Sequence, residues 1–230
     1  MGVTGQDESV MGDFSRYAPI VTGVILAGGQ SRRMGGGDKS LRDISGAPML
    51  RHVIERLGAQ AGRLVINANG DPGRFAAFGL EVAPDTVEGF AGPLAGVLAG
   101  MQWAREHTPK ARWIATAATD TPFFPADLVV RLAGACGHDE GMIALAKSGE
   151  RVHPVFGLWP VALADDLEKA VRDEGLRKVM VWVERHPNVE VAFRGAVVDG
   201  VEIDPFFNVN TPEDLETAEI VHEAIRELGA

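Results

Sequence analysis

Short runs rich in β-branched and apolar residues alternate with apolar patterns of 3.6-residue period from Val21 almost to the C-terminus. That alternation admits few folds, because strands separated by helices pair in parallel and the helices cover both faces of the sheet. Strand-like runs fall at residues 21–27, 64–67, 80–83, 113–118, 142–146, 153–158 and 189–193. Met49, Leu50, Val53, Ile54 and Leu57 form one helical face, with Pro48 at its start. Further helical patterns run from Pro93 to about 105, Pro125 to about 135, 161–171, 176–183 and Pro212 to about 228. Thr211 is the expected N-cap of the last helix, paired with Asp214 in a capping-box-like arrangement. The expected fold class is α/β: one three-layer sandwich over residues 19–230, its mostly parallel sheet covered by helices on both faces. Residues 1–18 are polar and aperiodic and are expected to form a disordered extension.

Composition removes several classes of function. A formal charge of −10 over 230 residues argues against nucleic acid and anionic membranes as partners, since both demand basic surfaces. No apolar run approaches the ~18 residues of a membrane span. The single Cys136 excludes an internal disulfide, fits a reducing cytoplasm, and lies in an apolar stretch that suits a small core residue. The six histidines lack zinc-binding spacing.

The first strand ends in Leu26-Ala27-Gly28-Gly29-Gln30-Ser31-Arg32-Arg33-Met34-Gly35-Gly36-Gly37-Asp38-Lys39, a loop with five glycines and three cations. Glycines without Cβ let successive N–H groups face a concavity that cradles a polyanion, and Arg32, Arg33 and Lys39 neutralise it. A nucleoside triphosphate is the commonest ligand of that description. The P-loop pattern fails because Asp38 separates Gly37 from Lys39, and the dinucleotide pattern G-x-G-x-x-G is absent. Beyond the carboxyl ends of other strands stand Asn67 and Asp120, where ligands of open α/β sheets bind. Asp120 precedes Thr121-Pro122; taken alone it is equally a turn former and a ligand for Mg²⁺, which prefers hard oxygen donors.

Leu26-Ala27-Gly28-Gly29, Ser31, Arg33-Met34-Gly35 and Asp38-Lys39 together resemble the signature of nucleotidyltransferases with a Rossmann-like, glycosyltransferase-A-type fold. Within them the chain resembles the molybdenum cofactor guanylyltransferase family. The likeness continues in order through Asn67-Ala68-Asn69, Gly92-Pro93-Leu94-Ala95-Gly96, Asp120-Thr121-Pro122, Gly149-Glu150-Arg151, His153-Pro154 and Asn208-Val209-Asn210-Thr211-Pro212. It implies a transfer of GMP from GTP to molybdopterin carrying molybdenum, with release of pyrophosphate. It also implies Mg²⁺ at Asp120, a cytoplasmic location, and molybdopterin-delivery proteins and molybdoenzyme chaperones as partners.

The resemblance assigns catalysis to Lys39, Arg33 and Asp120, and nucleotide binding to Leu26, Ala27, Gly28, Gly29, Lys39, Asn67, Asp85, Gly92 and Asp120. A carboxylate such as Asp85 can accept hydrogen bonds from the N1–H and exocyclic amine of guanine. Gly92 lets backbone approach a ligand at a helix start, whereas Gly96 and Gly100 share one helical face and suit close packing. His153, Arg177, Lys178, Asn208 and Asn210 fall in the half implied to bind the acceptor. For each a plainer role stays open: a satisfied core histidine, solvated charges, turn-forming amides. Three rivals also remain: a cytidylyltransferase acting on the same pterin, whose members carry Ala where this chain has Gly28, a more distant sugar-phosphate nucleotidyltransferase, and a non-catalytic nucleotide-binding module.

Overall fold

The computed structural model describes residues 20–28, 39–87, 89, 92–198 and 201–227. Residues 1–18, and with them the expected extension, lie outside that set, as do Gly29, Arg32 and Arg33. A seven-stranded sheet organises the described residues, its strands lying side by side in the order 81–83, 63–67, 21–26, 113–118, 151–160, 143–148 and 188–192. The third strand of that order is β1 (Val21–Leu26), flanked in parallel by β4 (Arg63–Asn67) and β6 (Trp113–Ala118). β1 is covered on both faces, which is why it reads as an almost continuous apolar run. Its one polar side chain, Thr22, is buried and shares a 2.8 Å hydrogen bond with the Thr108 hydroxyl. β5 (Glu81–Ala83) extends one flank in parallel. On the other flank β8 (Arg151–Pro160) runs antiparallel to both β6 and β7 (Ile143–Ser148), and β9 (Asn188–Ala192) closes the sheet parallel to β7.

Alternation along the strands sends neighbours to opposite cores. Ile25 and Ile66 join Leu50, Val53, Phe75, Leu128 and Leu132 on one face, whereas Val24 and Val65 join Leu94, Leu98, Met101, Trp159 and Trp182 on the other. The first face is covered by α1 (Met49–Gly58) and α3 (Leu128–Cys136), the second by α2 (Pro93–His107), α4 (Ala164–Arg172) and α5 (Val179–Val183). The three layers of the sequence reading are present. α1 buries Met49, Leu50, Val53 and Leu57, the stripe expected of an amphipathic helix. α2 has Pro93 in its first turn, where a missing N–H costs nothing, and it is buried almost all round between the sheet and α4. Gly100 makes that approach feasible, since a Cβ there would lie 2.7 Å from Val24 Cγ2 and 3.1 Å from Ile114 Cδ1. The packing role read for this glycine stands.

α6 (Pro212–Glu227) is capped as expected: the Thr211 hydroxyl accepts from the Asp214 N–H at 3.1 Å, and the Asp214 carboxylate from the Thr211 N–H at 2.8 Å. Other boundaries moved. α3 begins at Leu128 rather than Pro125, because residues 125–127 make a turn closed by Leu128 N–H to Pro125 O at 3.2 Å. α5 begins at Val179 rather than 176, leaving Arg177 and Lys178 outside it. Two hairpins were not anticipated: β2 (Asp43–Ile44) with β3 (Ala47–Pro48), and β10 (Ala196–Val198) with β11 (Val201–Ile203). The first turns through Ser45 and Gly46, both at positive φ (51° and 83°), the conformation that two-residue hairpins require. Among the described residues no helix is long and apolar enough to cross a membrane.

Candidate functional site

Register places the ends of three strands side by side, because Leu26 pairs with both Asn67 and Ala118. The chain leaves β1, β4 and β6 at one edge of the sheet, and β5 ends at the same edge. Leu26-Ala27-Gly28, Asn67, Asp85 and Asp120 are therefore neighbours there, although 94 residues of sequence separate Leu26 from Asp120. Ala27 is fixed by its N–H to the Asn67 carbonyl at 2.8 Å. Gly28 is exposed, and among the described residues a Cβ built on it would meet nothing within 4 Å. Lys39 opens a single 3-10 turn, Lys39–Leu41, of which Ser40 is buried.

The Asp85 carboxylate is held on both oxygens. The Asn67 amide donates to its Oδ1 at 2.9 Å and the Asn69 amide to its Oδ2 at 2.8 Å. The Asp85 N–H in turn donates to Asn69 Oδ1 at 2.9 Å. Asn67 is only 3% exposed and also donates to the Ala83 carbonyl at 3.1 Å, which ties it to the pairing of β4 and β5. Above it α2 passes so closely that a Cβ on Gly96 would lie 2.5 Å from Asn67 Oδ1. Gly92 caps that helix with extended backbone (φ 162°). Its missing Cβ would lie 3.9 Å from the carbonyl of Arg177, and the Arg172 guanidinium donates to the Thr86 carbonyl at 3.3 Å. Residues 172–177 thus border the loop after β5 and the start of α2. Arg177 and Lys178 are exposed there, beside elements that the sequence reading gave to the nucleotide.

On the other side of β1, Asp120 is joined to the chain entering α6. Its carbonyl accepts the Val209 N–H at 2.8 Å, and the buried Thr121 hydroxyl donates to Asn208 Oδ1 at 2.5 Å. Asp120 and Asn208 consequently lie together. Asn210, two residues on, is exposed, its N–H donated to the Asp214 carboxylate at 2.7 Å as part of the helix cap.

The reversed β8 brings its N-terminal end to this edge, and with it His153. Leu145 pairs with Gly157 but Ala146 with His153, so residues 154–156 bulge from the ladder. Pro154, which has no N–H to donate, sits in that bulge. His153 is 5% exposed, shares a 2.6 Å hydrogen bond with Ser148 Oγ, and lies 4.5 Å from the Phe206 ring centre. Burial pushes its pKa below the ordinary 6.5, with the nearby Asp204 opposing and Arg151 adding. It is a neutral, satisfied histidine at pH 7. A cavity of about 310 Å³ opens elsewhere, lined by His52, Arg56, Phe123 and His222 and by none of the crevice residues above.

Residues 23–189 match the family described as the MobA-like NTP transferase domain. The chain belongs to that family. A molybdenum cofactor guanylyltransferase from Bradyrhizobium sp. (strain ORS 278) is 53% identical over 205 residues, or 89% of this chain and 94% of the relative. One from Mesorhizobium japonicum is 52% identical over 198 residues, 86% of this chain and 94% of its own. Among solved structures, molybdopterin-guanine dinucleotide biosynthesis protein A from Archaeoglobus fulgidus shares the fold at 24% identity. Its TM-score is 0.66, over 88% of this chain and 99% of that one. Rv0371c from Mycobacterium tuberculosis, solved in complex with manganese, has a TM-score of 0.60 at 24% identity, over 86% of this chain and 97% of its own.

In this MobA-like transferase two polar residues join the crevice that the sequence reading did not name as site residues. Asn69 was quoted only within a motif, although its spacing of two from Asn67 points to one strand edge. Thr121 lay next to Asp120 and carried no signal of its own for contact with residue 208. Gly29 and Arg33 lie outside the described residues.

Proposed function

We propose that the protein transfers GMP from GTP to molybdopterin carrying molybdenum, giving a guanine dinucleotide and pyrophosphate. The observation that carries this reading is the Asp85 carboxylate, held between Asn67 and Asn69 where β4 and β5 end. Guanine presents two adjacent donors, N1–H and the 2-amine, which a carboxylate accepts together. Cytosine and adenine present an acceptor beside a donor and would set a lone pair against one carboxylate oxygen. The names of relatives above 50% identity support the same substrate.

Phosphoryl-group transfer of this kind needs positioning and charge neutralisation more than covalent help. An oxygen of the pterin's terminal phosphate attacks the α-phosphorus in line, and the bond to the β-phosphate breaks. Lys39 and Arg33 are the cations proposed to hold the leaving pyrophosphate, with Asn208 and Asn210 facing the acceptor. Arg177 and Lys178 border the crevice, and we assign them to the acceptor phosphate.

Mg²⁺ suits the donors present. Among the described residues no group of three or more His, Cys, Asp or Glu side chains is placed to share a metal ion. One carboxylate, Asp120, next to the amide oxygen of Asn208, fits an ion that takes most of its ligands from water and phosphate oxygens. When bound, the ion would offset charge on the phosphates.

Thermal denaturation with GTP, CTP or ATP, each with Mg²⁺, tests the reading. At about 100 times its dissociation constant GTP adds about 2.7 kcal/mol of stability. For a chain of this size that raises Tm by about 5–10 °C. An equal rise with CTP would overturn the guanylyl assignment in favour of a cytidylyltransferase.

A further inference from the structure

We propose that Asn69 is a positioning residue that sets base specificity by locking the plane of the Asp85 carboxylate, a proposal that rests on the base-reading role of Asp85 given above. A carboxylate on a free side chain turns about its last bond and accepts one donor as readily as two. Reading an edge with two parallel donors requires that both oxygens be held in one plane. Asn69 supplies the restraint from both ends of the residue: its amide nitrogen donates to Oδ2 at 2.8 Å while its amide oxygen accepts the Asp85 N–H at 2.9 Å. The ring so closed fixes side chain and backbone of Asp85 to the same amide. Asn67 completes the arrangement on Oδ1 at 2.9 Å.

Acceptor arithmetic points the same way. Each carboxylate oxygen offers two lone pairs, four in all. Among the described residues the two amides occupy one on each oxygen, so the remaining capacity is one donor per oxygen. That is the pattern guanine satisfies and a single-donor base does not. Asn69 is placed by its own surroundings: the Arg74 guanidinium donates to its carbonyl at 3.0 Å, and Ala68 N–H bonds to the Ala83 carbonyl at 3.2 Å. The two asparagines differ in burial. Asn67 is closed under α2 and bound into the sheet, whereas Asn69 is exposed, so its truncation removes the restraint with little effect on the fold.

Isothermal titration of the whole protein with Mg-GTP and Mg-ITP tests this, since the hypoxanthine base of ITP keeps N1–H and lacks the 2-amine. The unaltered protein is expected to favour GTP about tenfold or more, the worth of one charge-assisted hydrogen bond. In Asn69→Ala the GTP affinity falls, the ITP affinity changes little, and the ratio approaches one while Tm stays within about 2 °C. Asp85→Asn collapses the same ratio. If Asp85→Asn collapses the ratio and Asn69→Ala preserves it, the positioning role is overturned and the base-reading role stands. Equal weakening of both nucleotides in Asn69→Ala makes its role merely structural and also overturns the proposal. If neither variant alters the ratio, Asp85 does not read the base and both ideas fall together.

Discussion

Replacing Gly96 with alanine tests how tightly α2 is laid against the nucleotide edge. The new Cβ would lie 2.5 Å from Asn67 Oδ1, 2.8 Å from Leu26 Cδ2 and 3.2 Å from Asn67 Cγ. The terminal methyl of Leu26 can turn aside. The Asn67 amide cannot, because its nitrogen is bound to both the Ala83 carbonyl and Asp85 Oδ1. Overpacking of this kind costs about 1–3 kcal/mol, while glycine to alanine inside a helix returns about 0.8–1.0 kcal/mol. The expected net loss is about 1 kcal/mol, or a fall in Tm of about 2–4 °C.

Displacing Asn67 also loosens Asp85, so GTP affinity should fall together with stability. Two control variants separate these effects. In Gly100→Ala the atoms nearest the Cβ belong to Val24 and Ile114, so Tm should fall with GTP affinity intact. In Gly134→Ala, on the exposed face of α3, nothing among the described residues lies within 4 Å, and Tm should rise by a few degrees. Differential scanning calorimetry and GTP titration read all three. A Gly96→Ala protein as stable as Gly134→Ala, with unchanged GTP affinity, would refute the close approach and the coupling built on it.

Four further outcomes are expected. Asp120→Asn should reduce pyrophosphate release about a hundredfold or more with an unchanged circular dichroism spectrum, whereas wild-type turnover would make Asp120 a turn residue only. Alanine at both Arg177 and Lys178 should weaken molybdopterin binding and spare GTP; the reverse, measured by titration, would give this border of the crevice to the nucleotide. Burial, aided by the charge of Asp139, pushes the Cys136 thiol up to about 11 from 9.0. At pH 8 Cys136 should therefore react with a disulfide reagent about 100-fold more slowly than in the urea-unfolded chain. The stability held by the protonated thiol is complete below pH 9 and is lost as pH rises towards 11. The pKa values of His153 and His222 are both lowered from 6.5, chiefly by burial. Their unfolded forms take up protons first, so stability should fall as pH drops below about 6.5 and level off below the folded values. Urea midpoints at pH 7.5 and 5.5 would show it, and an unchanged midpoint would refute it.

The parallel strands were legible because burial on both faces leaves nearly unbroken apolar runs such as residues 21–26 and 113–118. The direction of β8 was not, since a strand's own pattern is the same read either way and its reversal depends on which neighbours it joins. The β2–β3 turn had its signal in Ser45-Gly46, but flanking strands of two residues are too short to show alternation. Of the crevice, Gly28, Asn67, Asp85 and Asp120 were named from sequence and meet at one sheet edge. The clasp of Asn69 on Asp85 was hidden, because it spans 16 residues and exists only once β4 and β5 lie side by side. The contact of Thr121 with Asn208 spans 87 residues and depends on where the last helix docks. Arg177 shows the same limit: its exposure was a fair expectation, its place next to Gly92 was not.

The interior position of β1 bears on how this chain is synthesised. Its two partners are residues 63–67 and 113–118, so the first is available early and the second only after half the chain has been made. A nascent chain or proteolytic fragment that stops before Trp113 can assemble β5-β4-β1 and no more. The bare side of Val-Thr-Gly-Val-Ile-Leu would then offer a row of unpaired N–H and C=O groups on an uncharged, proline-free segment. Such an edge recruits identical copies of itself. Shortened forms ending near residue 110 should therefore collect in the insoluble fraction; β6 alone only moves the bare apolar edge to Trp113–Ala118, and extension through Pro160, which adds β7 and β8, should restore them to solution.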